Sequence, residues 1–164
     1  MLSPYGLTKR QLEANMNVVN LKAPEQARPK KRKSGIPTGN AGEYFVMGEL
    51  LRRGYDAQLA DRNTAGYDLL VGRHDAHMLT KVQVKTVRAQ PWFVKQSSFE
   101  GAMLEQVTIY VMIGNVEAKS SVRYFVARNA DLVGQFSVPP KWDASAFMPL
   151  RAIVKYENCW ETMG

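Results

Sequence analysis

Cysteine is nearly absent from this chain. Cys159 is the only one in 164 residues, so no internal disulfide can form and a zinc site built on cysteines is excluded. It has no base close in sequence and reads as a buried packing thiol. Histidine is almost as scarce. His74 and His77 fall in GRHDAH with Asp75 as the one nearby acid, which reads as a surface turn rather than a metal site. Long apolar runs are missing too. No stretch approaches the roughly 20 residues of a membrane helix, and MLSPYGLTKRQLEANMNVVN at the N-terminus has no continuous apolar segment of signal-peptide type. These absences predict a soluble, cytoplasmic protein. No Walker loop, dinucleotide fingerprint or Gly-x-Ser-x-Gly elbow occurs.

Acidic residues are the next shortage: 15 against 22 bases, for a formal charge of +7. The imbalance is local. KAPEQARPKKRK, residues 22–33, holds Lys22, Arg28, Lys30, Lys31, Arg32 and Lys33 against the single acid Glu25. That leaves 16 bases and 14 acids elsewhere, so the rest of the chain is nearly neutral. A Pro-containing basic stretch with so little apolar surface cannot fold alone. The sequence therefore predicts a flexible basic arm over residues 1–38 and a single domain over 39–164. The arm is either a solubilising leader or a phosphate-neutralising tether, with Arg28, Lys30, Lys31, Arg32 and Lys33 as its nucleic-acid contacts. PKKRK also has the look of a nuclear-import signal, which matters only in a cell with a nucleus.

What is present is a core of ordinary richness: 45% hydrophobic and 23% charged residues, enough for one domain. A short helix is expected around 9–19 and a linker over 21–39. Asn40 with Glu43 three residues on has capping-box spacing, Val46, Met47, Leu50 and Leu51 recur at helical intervals, and Gly54 follows. A helix is predicted over 41–53. Strands are predicted over 55–60, 67–71, 78–86, 107–113 and 121–127, with a hairpin through GRHDAH and the 107–113 run covered on both faces. NADLVGQF reads as a short helix or turn, PPKW as a break, and LRAIVKYENCWETM as an amphipathic tail of either type. The fold class is α+β or α/β: a mixed central sheet flanked by helices.

Four polar residues do not suit the elements that carry them. Aspartate is a poor strand residue, yet Asp68 sits in YDLLV. A carboxylate there must be paired, for instance with an arginine, or must hold a metal. The hairpin can bring it opposite Gln83 and Lys85, the polar row of KVQVKT, which by itself is simply the wet side of a strand. Glu43 shares the inward stripe of its helix with Val46 and Met47, and serves as a cap, a ligand or both. Together Glu43, Asp68, Gln83 and Lys85 offer two carboxylates, a carbonyl oxygen and an ammonium. That set suits a hard cation such as Mg²⁺ and phosphodiester hydrolysis. Trp92, in AQPWF after this strand, reads as core or as a surface on which a base stacks.

GEYFVMGELLRRGYDA, GYDLLV and KVQVKT in this order resemble the PD-(D/E)xK nuclease superfamily, over roughly residues 39–128, with a weaker echo in YENCWETM. The likeness is to its small single-domain members, the Holliday-junction-resolvase-like proteins, and to the Mrr-like branch with Gln-x-Lys. It implies a restriction-endonuclease-like core and an Mg²⁺-dependent endodeoxyribonuclease, with Mn²⁺ a possible substitute. Glu43 matches the helix Glu, Asp68 the invariant Asp and Lys85 the catalytic Lys. Gln83 stands where Glu or Asp is usual, a departure that removes one negative charge. The backbone carbonyl of Val84 is implied as a further metal ligand. The implied partners are duplex or branched DNA and a second copy of the chain, since two cuts need two sites. No membrane is implied. Two rivals stay open: a DNA-binding module that keeps the fold without cleaving, and a protein-interaction subunit whose basic tail only solubilises.

Overall fold

A computed structural model describes residues 35–61, 63–73 and 78–164. The basic arm, the expected helix around 9–19 and the histidine-bearing turn lie outside the described residues.

Helix α1 spans Ile36–Arg52. It begins four residues before Asn40, so the expected capping box does not form. Gly35 takes the N-cap position, and Pro37 falls in the first turn, where its missing N–H has no helical partner to lose. Ile36–Thr38, assigned by the sequence to the arm, are thus helical, and Glu43 lies in the middle of the helix rather than in its first turn. Val46 and Leu50 are fully buried. On the outer side Glu49 pairs with Arg52 at 2.7 Å and with Arg53 at 2.9 Å. The helix ends where Gly54 takes φ +83°, the left-handed conformation that glycine adopts without strain.

The chain then lays down β1 (Tyr55–Leu59), β2 (Leu69–Arg73), β3 (Thr80–Val87), β4 (Trp92–Lys95), β5 (Val107–Met112), β6 (Arg123–Arg128) and β7 (Ser145–Met148), followed by the short helix α2 (Leu150–Ile153). Five of these strands form the main sheet in the order β1-β2-β3-β5-β6. Every neighbouring pair is antiparallel except β3–β5, which is parallel. The sheet is therefore mixed, as expected. β4 and β7 make a separate antiparallel ribbon. It was missed in the sequence because its strands are four residues each and are separated by 49 intervening residues.

Two cores use the two faces of the sheet. Val82, Val84, Val107, Ile109, Leu69 and Val71 pack with α1 and Trp160 on one face. Tyr110, Phe125 and Ala127 pack on the other with Trp92, Val94, Ala146, Met148 and Ile153. β5 is buried along almost its whole length, as its continuous apolar run predicts. Trp92 is core: fully buried, edge-on to Tyr110 and Phe125, its indole N–H donating to the Val111 carbonyl at 3.1 Å. Cys159 is half-buried rather than buried. The NADLVGQF and tail segments fold as short 3-10 turns, at Asn129–Leu132, Val154–Tyr156 and Trp160–Met163, around α2.

Candidate active site at the start of the second strand

Strand parity builds the site. Leu69 pairs with Val82 and Val71 with Thr80, and Leu69, Val71 and Val82 belong to the core under α1. Side chains alternate along a strand, so Asp68 is sent to the opposite face, where Gln83 and Lys85 lie. Asp68 itself precedes β2 by one residue and does not sit inside a strand as the sequence suggested. Its backbone still continues the ladder on both sides: its N–H donates to Val82, and its carbonyl accepts from Ala60, each at 2.8 Å.

The Asp68 carboxylate is held by β3. One oxygen, Oδ2, accepts the backbone N–H of Val84 at 2.7 Å and the side-chain amide N–H of Gln83. Lys85, two residues on, pairs with the buried Tyr110 across the parallel ladder. Burial pushes the Asp68 carboxyl above the usual carboxylate range, against the opposing pull of the Val84 N–H, Lys85 and Gln83. Burial likewise lowers the Lys85 ammonium. Asp68 works against that shift, and Lys95 on β4 adds to it. The carboxyl is thus shifted up and the amine down, each partly offset by the other's charge.

Glu43 approaches from the helix. It shares with Asn40, Asp61, Thr64, Tyr67 and Asp68 the wall of a cleft of about 320 Å³. Gln83 and Lys85 are not part of that wall; they reach Asp68 from the strand side. So Asp68, Gln83, Val84 and Lys85 form one bonded or electrostatically linked group, and Glu43 lines the same cleft as Asp68. Among the described residues no three His, Cys, Asp or Glu side chains are grouped closely enough to hold a metal. The donor chemistry nevertheless suits a hard divalent cation. Asp68 and Glu43 both line the cleft and offer carboxylate oxygens, and a cation beside the partly desolvated Asp68 would offset the burial that raises its proton affinity.

The sequence did not point to two members. Asp61 lines the cleft, its carboxylate accepting the Asn63 N–H at 2.9 Å in an Asx turn. Lys95 influences Lys85 because β4 runs beside the site. The alternation Trp-Phe-Val-Lys was the available signal, masked by the preceding Gln-Pro.

No protein-family model matches the chain, and no curated protein matches it in sequence. Its structure does match solved ones. A bacterial homing endonuclease superposes with a TM-score of 0.50 at 14% identity, over 78% of this chain and 89% of that one. The Holliday junction resolvase Hjc of the archaeal hyperthermophile Archaeoglobus fulgidus gives a TM-score of 0.43 at 12% identity, over 68% of this chain and 91% of that one. The chain has a nuclease-like α+β fold.

Proposed function

We propose that this protein is a metal-dependent DNA endonuclease that hydrolyses phosphodiester bonds. The observation carrying the reading is a half-buried, hydrogen-bonded Asp68 and a partly desolvated Lys85 on one sheet face, with Asp68 and Glu43 lining the same cleft. The fold shared with a homing endonuclease supports it.

Asp68, Glu43, Gln83 and the Val84 carbonyl are the groups that would hold Mg²⁺ or Mn²⁺. The ion, when bound, supplies Lewis acidity to the scissile phosphate and its attacking water. The chain's own residues do the rest. The Val84 N–H fixes the orientation of Asp68. Lys85, its pKa lowered by burial, takes up or positions the proton of the attacking water and then offsets charge on the pentacoordinate phosphorus. Gln83 donates its amide N–H to Asp68, so acting as a ligand requires the amide to turn its oxygen to the ion. Duplex or branched DNA is the proposed substrate, with a second copy of the chain supplying the second cut.

That same amide favours a second reading. Gln83 caps Asp68 with a neutral donor where a carboxylate would strengthen a cation site, which suits a DNA-binding module that has lost cleavage. Supercoiled plasmid and a four-way junction, each incubated with Mg²⁺, Mn²⁺ or EDTA, separate the two. Nicking that needs the ion and disappears in Lys85→Ala supports the nuclease. Binding without nicking under every condition supports the module.

A further inference from the structure

The β4–β7 ribbon has an inner and an outer face. Trp92, Val94, Ala146 and Met148 are buried beneath it. The alternate residues Phe93, Lys95, Ser145 and Phe147 lie on the outer face, with Phe93 paired to Phe147 and Lys95 to Ser145. Phe93 is 65% exposed, an unusual position for a large apolar ring in a strand otherwise built to bury its alternate residues. Trp142 lies against it, nearly parallel, with ring centroids 6.0 Å apart, and stands edge-on to Phe147 at 6.5 Å. Of the three tryptophans Trp92 and Trp160 are buried, and Trp142 alone is substantially exposed.

The loop that presents Trp142 is fastened. Gln96 donates its backbone N–H to Ala144 and its side-chain amide to the Asp143 carbonyl, both at 3.0 Å, and the Trp142 N–H reaches the Pro139 carbonyl at 3.1 Å. Phe93, Trp142, Asp143 and Ser145 border an open cleft of about 320 Å³. The face is therefore preorganised, aromatic at one end and cationic at the other through Lys95. Ring faces for bases beside a positive charge for phosphate make up the composition of single-strand binding surfaces. The Asp143 carboxylate repels a phosphate from the aromatic end, which leaves Lys95 as the phosphate-facing end.

We infer that Phe93 and Trp142 form a stacking platform for an unpaired nucleobase, which positions a single-stranded or splayed segment of nucleic acid beside the candidate active site, with Lys95 on its phosphate. The inference rests on the proposed nuclease reading for its place next to the cutting chemistry, and on the ribbon geometry alone for binding. The linkage runs through β4: Trp92 on the ribbon's inner face packs edge-on to Tyr110, the cross-strand neighbour of Lys85, so the ribbon lies over the sheet face that carries the candidate site.

Trp142 is its own reporter. Titration of the full chain with a short oligothymidylate in EDTA should quench tryptophan emission, and Phe93→Leu should weaken that binding by about 5- to 100-fold, the range of one stacked base. Trp142→Leu, followed by anisotropy of a labelled oligonucleotide, should do the same, while affinity for blunt duplex changes less than twofold. Both variants sit on the surface, and unchanged melting temperatures exclude a folding cause. Absence of quenching, or equal losses on single strand and duplex, overturns the platform even if the protein cuts plasmid. Quenching with the expected losses in a protein that never cuts leaves the platform standing and removes the nuclease reading.

Discussion

Gly42 of α1 sits directly on Thr86 of β3. A Cβ built on Gly42 would overlap the Thr86 hydroxyl oxygen and would stand 2.6 Å from its Cγ2 and 2.7 Å from its Cβ. The Thr86 Oγ1 is itself buried there, without a hydrogen-bond partner among the described residues. This close approach sets the height of the helix above the sheet one residue before Glu43. Gly42→Ala should therefore cost about 1–3 kcal/mol, as overpacking does, seen as a lower urea midpoint at unchanged slope. Adding Thr86→Ala should recover part of the loss. The helix must lift to admit the methyl, so any activity that depends on Glu43 should fall in Gly42→Ala by more than the stability change explains.

Lys85 links the site to pH. Its folded pKa is depressed by burial, so the stability it contributes is present above its unfolded value of 10.5 and is lost as pH falls through the folded value. At neutral pH the charged lysine is a cost. The stability of Lys85→Met relative to wild type should thus be greater at pH 7 than above pH 10.5. Guanidinium titrations of both proteins across that range give the difference directly. A difference independent of pH would mean that Lys85 is as well solvated folded as unfolded.

Gln83→Glu exchanges an N–H donor on Asp68 for a second carboxylate. Without divalent ions the two acids should repel and lower the melting temperature, and the proton affinity of Asp68, already raised, should climb further. Mg²⁺ or Mn²⁺ should raise the variant's melting temperature by more than the wild type's. Calorimetric ion affinities equal in the two proteins would place this side chain away from the ion.

Asp68→Asn should abolish ion-dependent nicking while retaining the Val84 N–H as a donor to its amide oxygen. The fold should survive, and because burial outweighs the bonds that favour the charged carboxylate, the neutral amide should cost no stability at neutral pH, measured by thermal unfolding in EDTA.

The basic arm is to be cut at residue 33, before helix α1, rather than at 38, since Ile36–Thr38 form its first turn. Deleting 1–33 removes six linker bases. The slope of log affinity against log salt on duplex DNA should fall by roughly two to four units, at about 0.9 per phosphate contact. Nicking at saturating DNA should persist, because Asp68, Gln83 and Lys85 remain. An unchanged slope would reduce the arm to a solubility tail.

The sequence alone determined what depends on near neighbours in the chain. Period-3.6 spacing of Val46, Met47 and Leu50 gave α1, period-2 alternation in KVQVKT gave β3, and the unbroken VTIYVM run gave a strand covered on both faces. A strand must also send Asp68 to the face opposite Leu69, so its meeting with Gln83 followed from parity and the hairpin. Tertiary structure decided the rest. Asn40 has the chemistry of a cap, but an N-terminus can form at Gly35 when Pro37 tolerates the first turn and Gly42 admits β3, and the cap statistic does not weigh those contacts. The β4–β7 ribbon joins residues about fifty positions apart through four-residue strands, too short for periodicity to register. Lys95 and Trp142 reach the neighbourhood of their partners only through that ribbon. The shifted protonation of Asp68 and Lys85 likewise exists only once the fold removes water from them, and the burial of polar side chains leaves no apolar pattern in the sequence to read.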